Sequence, residues 1–305
     1  MLSTDPAGVL PARTRHKFFS IGRVSAIAGN TLLELVRLKV FYFLLLFALL
    51  IIGASGFTSI FDFPFQEQFQ ILKDVSLGSM SIFTLLLSIL ATAMMLPKDI
   101  EDRTLYTILA KPVPRFEYMM GKLLGVFTLL LISTLVMSVM FVIAMYAKQQ
   151  MVISTQMRGL PPDQIQAMIE GVKSQTFTMN LIPGITAIYL KAILFAALTM
   201  FISTFATSSI FTIFIAFTAY FIGSIEGLAR EYWNTSSSGG SEIAKTLTGL
   251  VALFFPDLQL LNLVDDIVAG NSISQALFAK TAGLGVAYTF VYSFVAYVVF
   301  AFKEL

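Results

Sequence analysis

The stretch Ala192–Ile225, AILFAALTMFISTFATSSIFTIFIAFTAYFIGSI, contains no charged residue and decides the fold class. It is too long for one membrane crossing, because a helix needs roughly 20 apolar residues to cross the hydrocarbon core. Thr207-Ser208-Ser209 forms a small polar break near its middle. We therefore predict a hairpin of two transmembrane helices, about Ile188–Ala206 and Ser209–Gly227, with Lys191 near a membrane surface. One long kinked helix is the alternative interpretation.

Four further windows also lack charged residues, and each has the length of a single crossing. These windows are Val40–Phe61, Val75–Pro97, Leu123–Ala147 and Thr281–Phe302. Of the 305 residues, 57% are hydrophobic and only 12% are charged, whereas soluble domains are about 25% charged. The sequence therefore predicts an all-α membrane protein with six transmembrane helices.

The N-terminal region separates into two parts. Residues 1–20 are basic and contain two prolines, Pro6 and Pro11, which predicts a disordered tail. Residues 21–39 place apolar side chains at helical spacing on one face. The polar residues of the opposite face are Arg23, Asn30, Glu34 and Arg37. This pattern predicts an amphipathic helix in the membrane interface, followed by a transmembrane domain over 40–305. The alternative is that 21–39 forms the first turns of a long first helix.

The segments between the crossings differ in their density of Lys and Arg. The denser set comprises the N-terminal region, the loop 98–122 and Lys303. Because positive residues favour the cytoplasmic side, we expect both termini and this loop in the cytoplasm, and the chain in the cell membrane. The longest outer segment is then 228–280. Within it, Thr246–Phe255 is apolar but too short to cross, which indicates a re-entrant or interfacial piece.

Several classes of function are excluded or disfavoured. The chain has no cysteine and one histidine, His16, so a thiol nucleophile or a Cys/His zinc site is impossible. It has no phosphate-binding GxxxxGK[ST] loop, and the net charge of +2 does not indicate nucleic-acid binding. None of the windows predicted to cross the membrane contains a carboxylate, which disfavours an intramembrane enzyme or a proton-coupled transporter. We therefore expect no catalytic site, metal or cofactor in this chain.

The loop 98–122, KDIEDRTLYTILAKPVPRFEYMMGK, is the most informative segment. Its acidic start suits the positive end of a helix, and Leu105, Ile108 and Leu109 form an apolar strip. Pro112 then ends the helix. The pattern predicts a short amphipathic helix at the inner face of the membrane, with a geometry that suits docking to a cytoplasmic partner. An ordinary interfacial helix that covers the bundle is the alternative.

This loop resembles the hallmark of type-2 ABC exporter permeases, which is an acidic pair, Gly-Thr-Leu, a Leu-x-x-Pro-Val-x-Arg corner and Gly-Lys at the next helix. The matching residues are Glu101, Thr104, Leu105, Pro112, Val113, Arg115, Gly121 and Lys122. Arg103 stands where many members carry glycine. The later segment 255–270 is similar to the copper-maturation and gliding-associated permeases of that group.

The resemblance implies a homodimer or heterodimer of permease subunits in membrane lipid, carrying separate ABC ATPase subunits that bind ATP and magnesium. Its members export substrates, and the substrate here is unidentified. The loop helix would sit in a cleft of the ATPase and transmit its closure as a rigid body. The residues expected at that contact are Glu101, Asp102, Arg103, Thr104, Leu105, Tyr106, Leu109, Pro112 and Arg115.

The second crossing carries Ser81, Thr84, Ser88 and Thr92 on one face at helical spacing. These hydroxyls are candidates for the substrate path; the alternative is that they bond to a neighbouring helix. Two other functions stay open from the residues alone. One is an ATP-independent secondary transporter or channel, and the other is a non-transporting membrane anchor or signal transmitter.

Overall fold

The computed structural model describes residues 19–56, 63–101, 114–156, 166, 169–173, 176, 180–206, 208–235, 258–259, 261–269, 271 and 273–303, with the side chains of 100–101 and 226–235 left aside. Within these residues every regular element is an α-helix. The helices are α1 Ile21–Val36, α2 Lys39–Ser55, α3 Phe65–Ala93, α4 Met95–Glu101, α5 Arg115–Gln156, α6 Leu181–Phe205, α7 Ser209–Thr235, α8 Val264–Val268 and α9 Gln275–Phe302.

In the described part of the chain, four stretches of helix are long and apolar enough to cross a membrane. They are Phe65–Asp99, Arg115–Thr155, Leu181–Phe205 and Gln275–Phe302. The pair α1 and α2, bent by 68°, passes the same test together and gives a fifth candidate. The protein is thus a multi-pass membrane protein with four or five candidate spans. The sixth predicted crossing depends on α7, whose apolar part Ser209–Ile225 is shorter.

The hairpin predicted within the long uncharged stretch is observed. Helix α6 ends at Phe205 and Ala206 is extended, with φ −72° and ψ 142°. The rings of Phe195 and Tyr220 then meet at 5.7 Å between their centroids. In one continuous helix with a rise of 1.5 Å per residue these rings would lie about 37 Å apart. The two helices therefore lie side by side, and the interpretation as one long kinked helix is wrong.

The position of Lys191 differs from the expectation. Helix α6 begins at Leu181, well before the predicted start at Ile188, so Lys191 lies inside the helix rather than near its end. Its Nζ sits 5.4 Å from the ring centroid of Tyr220. Burial against this aromatic face, a favourable site for a cation, explains how the charge is accommodated within an apolar helix.

Helix α6 packs against α3, α5, α7 and α9 and forms the centre of the bundle. Small residues make this possible, since Ala192, Ala196 and Ala197 are almost fully buried and allow neighbouring backbones to approach closely. The outer helices expose apolar side chains instead, such as Phe290 on α9 and Ile143 on α5. This is the pattern of a protein whose outside is covered by lipid.

Several helices continue beyond their uncharged windows. Helix α5 runs to Gln156, α7 runs to Thr235, and α9 begins at Gln275, so α7 and α9 both enter the predicted outer segment 228–280. Lys73 and Lys148 lie within α3 and α5 and are nearly buried, at 6% and 2% exposed. The windows mark where charge is absent, whereas a helix continues until a residue breaks its backbone pattern.

Candidate functional site at the neck of the inner loop

The structure describes the two ends of the predicted coupling loop 98–122. Helix α4 ends at Glu101, and description resumes at Pro114. The predicted ATPase contacts Asp102, Arg103, Thr104, Leu105, Tyr106, Leu109 and Pro112, with the side chain of Glu101, lie outside the described residues. The described part of the site is therefore the two ends of the loop. We call these ends the loop neck, and it comprises Lys98, Asp99, Glu117, Tyr118 and Lys122.

The two ends of the loop are tied together. The Lys122 ammonium lies 2.7 Å from Asp99 Oδ2, and the Tyr118 hydroxyl donates to the same oxygen. All three residues are buried, so little water screens the pair and the attraction is strong. Asp99 stands at the end of the α3–α4 span and Lys122 two turns into α5, so the pair holds these helices at a fixed separation.

Helix α1 joins this arrangement through Glu34. One carboxylate oxygen accepts from Lys98 Nζ at 2.8 Å, and the other lies 3.6 Å from Lys122 Nζ. Two lysines beside one carboxylate offset the cost of its partial burial. Glu34 therefore stays ionised and links α1 to both ends of the loop.

A second ion pair fixes the start of α1 on α5. Glu117 is fully buried and accepts from Arg23 Nε at 2.5 Å and from Arg23 Nη2 at 2.7 Å. The backbone N–H of Ser20, just before α1, donates to the same carboxylate at 2.8 Å. This two-point contact is the strong geometry of Arg with a carboxylate, and it satisfies one of the unpaired N–H groups near the helix start.

Two glycines let α1 lie directly on α5. A Cβ added to Gly121 would sit 2.7 Å from the Ile27 side chain, and one added to Gly125 would sit 2.7 Å from Cβ of Thr31 and 2.9 Å from the backbone oxygen of Ala28. No side chain fits at these distances. The glycine of the Gly-Lys pair therefore serves helix contact, while its lysine serves the ion pair with Asp99.

Arg115 contacts the last helix in this structure. Its Nη1 donates to the carbonyl oxygens of Phe300, Ala301 and Lys303 at 2.9–3.0 Å. The final carbonyls of a helix lack partners within it, and a basic side chain satisfies them and suits the negative end of the helix. The resemblance implies that Arg115 lies at the ATPase contact, and the sequence pattern gives no sign of these bonds across 185 or more positions.

The hydroxyl stripe of α3 faces α6. Ser88 donates to the carbonyl oxygen of Ala192 at 2.7 Å, as expected from the interpretation that these residues bond to a neighbouring helix. Thr84 and Thr92 lie one turn to either side and are fully buried, and their hydroxyls have no hydrogen-bond partner among the described residues. Ser81 is half-buried. In this arrangement the stripe lies within a closed helix contact rather than along an open cleft.

Sequence reasoning missed most of the neck. It assigned Arg23 and Glu34 to a water-facing side of the first helix, and it passed over Glu117 and Tyr118 as part of a lead-in to the third crossing. The charged residues beside the apolar windows were the signal in the sequence that could have suggested these ion pairs. Glu117 and Lys122 precede the window Leu123–Ala147. Arg23 and Glu34 carry charges of opposite sign. Within the described residues no group of acidic or histidine side chains is placed to hold a metal ion.

The neck contains no nucleophile or acid–base pair open to a substrate; its groups hold helices to one another. Comparison with known families agrees with a transport role. The model described as "ABC-2 family transporter protein" matches residues 25–305, which includes all of the neck. It does not confirm the more specific similarity to copper-maturation permeases, and no curated protein matches the chain. The chain therefore belongs to the ABC-2 family of transporter proteins, as a membrane permease of an ABC transporter.

Proposed function

We propose that this permease exports its substrate with energy from a separate ABC ATPase subunit, which docks on the loop 98–122. The chain lies in the cell membrane with both termini in the cytoplasm, as a homodimer or heterodimer, and ATP and magnesium bind in the ATPase. The loop neck is the observation that supports this proposal most. A loop that only covered the bundle would not need buried ion pairs at both of its ends.

The neck offers three routes for movement of the loop to reach the bundle. Asp99 and Lys122 connect it to the α3–α4 span and to α5. Glu117 and Glu34 connect it to α1. Arg115 connects it to the end of α9. A displacement of the segment between Glu101 and Pro114 would therefore move these helices together, as a rigid-body change.

We place the substrate path between α3 and α6. Four buried hydroxyls that have no hydrogen-bond partner in the described part of the chain support this placement, and they are Thr84, Thr92, Thr199 and Ser203. On α6, helical spacing places Thr199 and Ser203 on the same face as Ala192. Ala192 accepts the hydrogen bond from Ser88, so this face is the one toward α3. A buried hydroxyl without a partner costs about 1–3 kcal/mol, so these groups favour a state in which the helices part and water or substrate reaches them.

Affinity purification of the chain from its native membrane, with mass spectrometry of bound proteins, tests the proposal. We expect a stoichiometric partner with a Walker motif, lost in the double variant Leu105→Asp/Leu109→Asp because the apolar strip is needed for docking. Ser25→Asp, at an exposed site on α1, is the matched control and should retain the partner. Purification without any ATPase would favour a secondary transporter or channel. A bound ATPase without transport would favour an anchor or signal transmitter.

The path is tested by cysteine labelling, which is clean because the chain has no cysteine. Thr92→Cys should react with a water-soluble maleimide only when the ATPase partner and ATP are present. Leu129→Cys, fully buried on α5, is the control and should stay unreactive. Equal protection of both cysteines throughout the ATP cycle would contradict the path.

A further inference from the structure

A groove with a volume of about 500 Å³ lies between α5, α6 and α9. Apolar and aromatic side chains form most of its wall, among them Phe116, Phe127, Ile193 and Phe290. Two of its three hydroxyls are already used, because Thr289 donates to Gly285 O at 2.8 Å and Ser293 donates to Thr289 O at 2.7 Å; the third belongs to Tyr297. The wall therefore offers an occupant mainly hydrocarbon contact, with the Tyr297 hydroxyl as its remaining polar group.

The groove opens sideways, toward the lipid-facing surface of the bundle. Residues of its rim are strongly exposed, with Leu124 at 40%, Phe294 at 56% and Phe290 at 71%. They belong to Arg115–Thr155 and Gln275–Phe302, two of the candidate spans, so hydrocarbon surrounds the opening. Water does not fill apolar cavities of this kind. An occupant of the groove therefore has an apolar chain and reaches it from within the membrane.

Two basic residues, Arg115 and Lys303, follow the wall of the groove along its helices, although neither lines the groove itself. The rings of Phe116 and Tyr297, both in the wall, meet edge to face with centroids 5.3 Å apart, and Arg115 and Lys303 lie at the adjoining helix ends. Arg115 uses only Nη1 in its bonds to α9, which leaves Nε and Nη2 without a hydrogen bond to any described residue. Lys303 Nζ donates to Thr204 O at 2.9 Å, although an ammonium group has three donors. Among the described residues neither cation pairs with a carboxylate.

We propose that this groove binds one anionic membrane phospholipid, with an acyl chain along its apolar wall and the phosphate at Arg115 and Lys303. Apolar space that ends at two incompletely bonded cations matches the chemistry of such a lipid. Basic pockets between transmembrane helices bind anionic headgroups in this way, and guanidinium groups suit phosphate oxygens. A second copy of the chain, seated on the groove by its own apolar helices, would leave both cations without a counter-charge.

Native mass spectrometry of the full-length chain, purified in detergent and offered phosphatidylglycerol or phosphatidylcholine of equal chain length, tests the proposal. We expect one bound lipid per chain, with phosphatidylglycerol retained about tenfold better, because its headgroup has a net negative charge whereas the choline ammonium of phosphatidylcholine offsets its phosphate beside the two cations. Ser293→Phe fills the groove and should abolish binding of both lipids. Lys303→Gln should reduce the preference for phosphatidylglycerol. Val291→Phe, at an exposed site of α9 outside the groove, is the matched control and should bind as the natural chain does.

A labelled cysteine gives a second measurement that does not depend on a bulky substitution. A fluorophore on Ser293→Cys should be quenched by vesicles that contain brominated phosphatidylglycerol more than by brominated phosphatidylcholine, whereas one on Val291→Cys should be quenched equally by both. Equal retention of the two lipids, or retention that Ser293→Phe leaves unchanged, would overturn the proposal. A disulfide between two copies of the Ser293→Cys chain would overturn it in favour of a second copy in the groove.

Discussion

Lys122 and Asp99 are joined by an ion pair of 2.7 Å between Nζ and Oδ2, and they stand at opposite ends of the coupling loop. Their side chains are only 6% and 10% exposed. Removal of one partner from a buried pair leaves an uncompensated charge, which is more costly than loss of the contact itself. The neck therefore cannot open without a large penalty, and movement of the loop must be passed to the helices instead.

Lys122→Met should lower the free energy of unfolding by about 3 kcal/mol, because Asp99 would remain buried without its cationic partner Lys122. The double variant Asp99→Asn/Lys122→Met should recover part of this loss, and thermal unfolding in detergent measures both. Lys98→Met is the control, since Lys98 is 46% exposed and its pair with Glu34 contributes about 0–1 kcal/mol. Equal losses for Lys122→Met and Lys98→Met would contradict the buried pair.

Arg23→Glu and Glu117→Arg should each loosen α1 from α5, because either change places like charges at the contact of 2.5 Å. The double reversal restores opposite charges and should recover part of the lost stability. Hydrogen exchange with mass spectrometry over residues 21–36 is the readout, and faster exchange reports the loosened helix. If the increase in amide exchange for the double reversal equalled the added increases for the two single variants, the pairing would be refuted.

Gly125→Ala should destabilise the chain by about 1–3 kcal/mol, because the added methyl group meets a backbone oxygen that cannot move aside. The nearest atoms would be Thr31 Cβ at 2.7 Å and Ala28 O at 2.9 Å. Gly78→Ala is the matched control on α3, since nothing lies within 4 Å of its added Cβ. That control should be neutral or more stable by about 0.5–1 kcal/mol. Thermal unfolding of both variants decides the matter.

Arg115→Gln should free the last turn of α9, because three carbonyl groups lose a charged donor. Hydrogen bonds to charged groups contribute about 1.5–3 kcal/mol, so amide exchange near residues 298–303 should accelerate. Co-purification of the ATPase from the same variant separates two roles. Faster exchange with retained ATPase identifies Arg115 as a cap for α9. Unchanged exchange with lost ATPase would identify it as a docking residue.

The hairpin of α6 and α7 is a part of the fold that could be predicted from the sequence. An uncharged stretch too long for one crossing, with Thr207-Ser208-Ser209 in its middle, required a break there, and chain geometry then placed α6 beside α7. The ends of the helices were harder to predict. Membrane crossing is decided by charge and apolarity, whereas a helix ends where backbone bonding ends, so α6 begins at Leu181 and carries Lys191 inside it.

The neck was beyond sequence reasoning for a different reason. Arg23 and Glu117 are 94 positions apart, and Arg115 and Ala301 are 186 positions apart. No periodicity links such residues, because their meeting depends on how complete helices pack. The Gly-Lys pair was recognised as a motif, but its two roles, contact with α1 by Gly121 and an ion pair by Lys122, needed the packed helices to be seen.

The contact between α1 and α5 also bears on how the protein is made. A ribosome adds about 5–20 residues per second, so α1 exists for on the order of 5–20 s before Glu117 is synthesised, given the 94 positions between Arg23 and Glu117. During that interval the face of α1 that packs on α5 in the finished protein, where Val24 is buried, has no α5 to cover it. The membrane surface is the apolar phase at hand, and it acts as a holding site for α1 until α5 arrives.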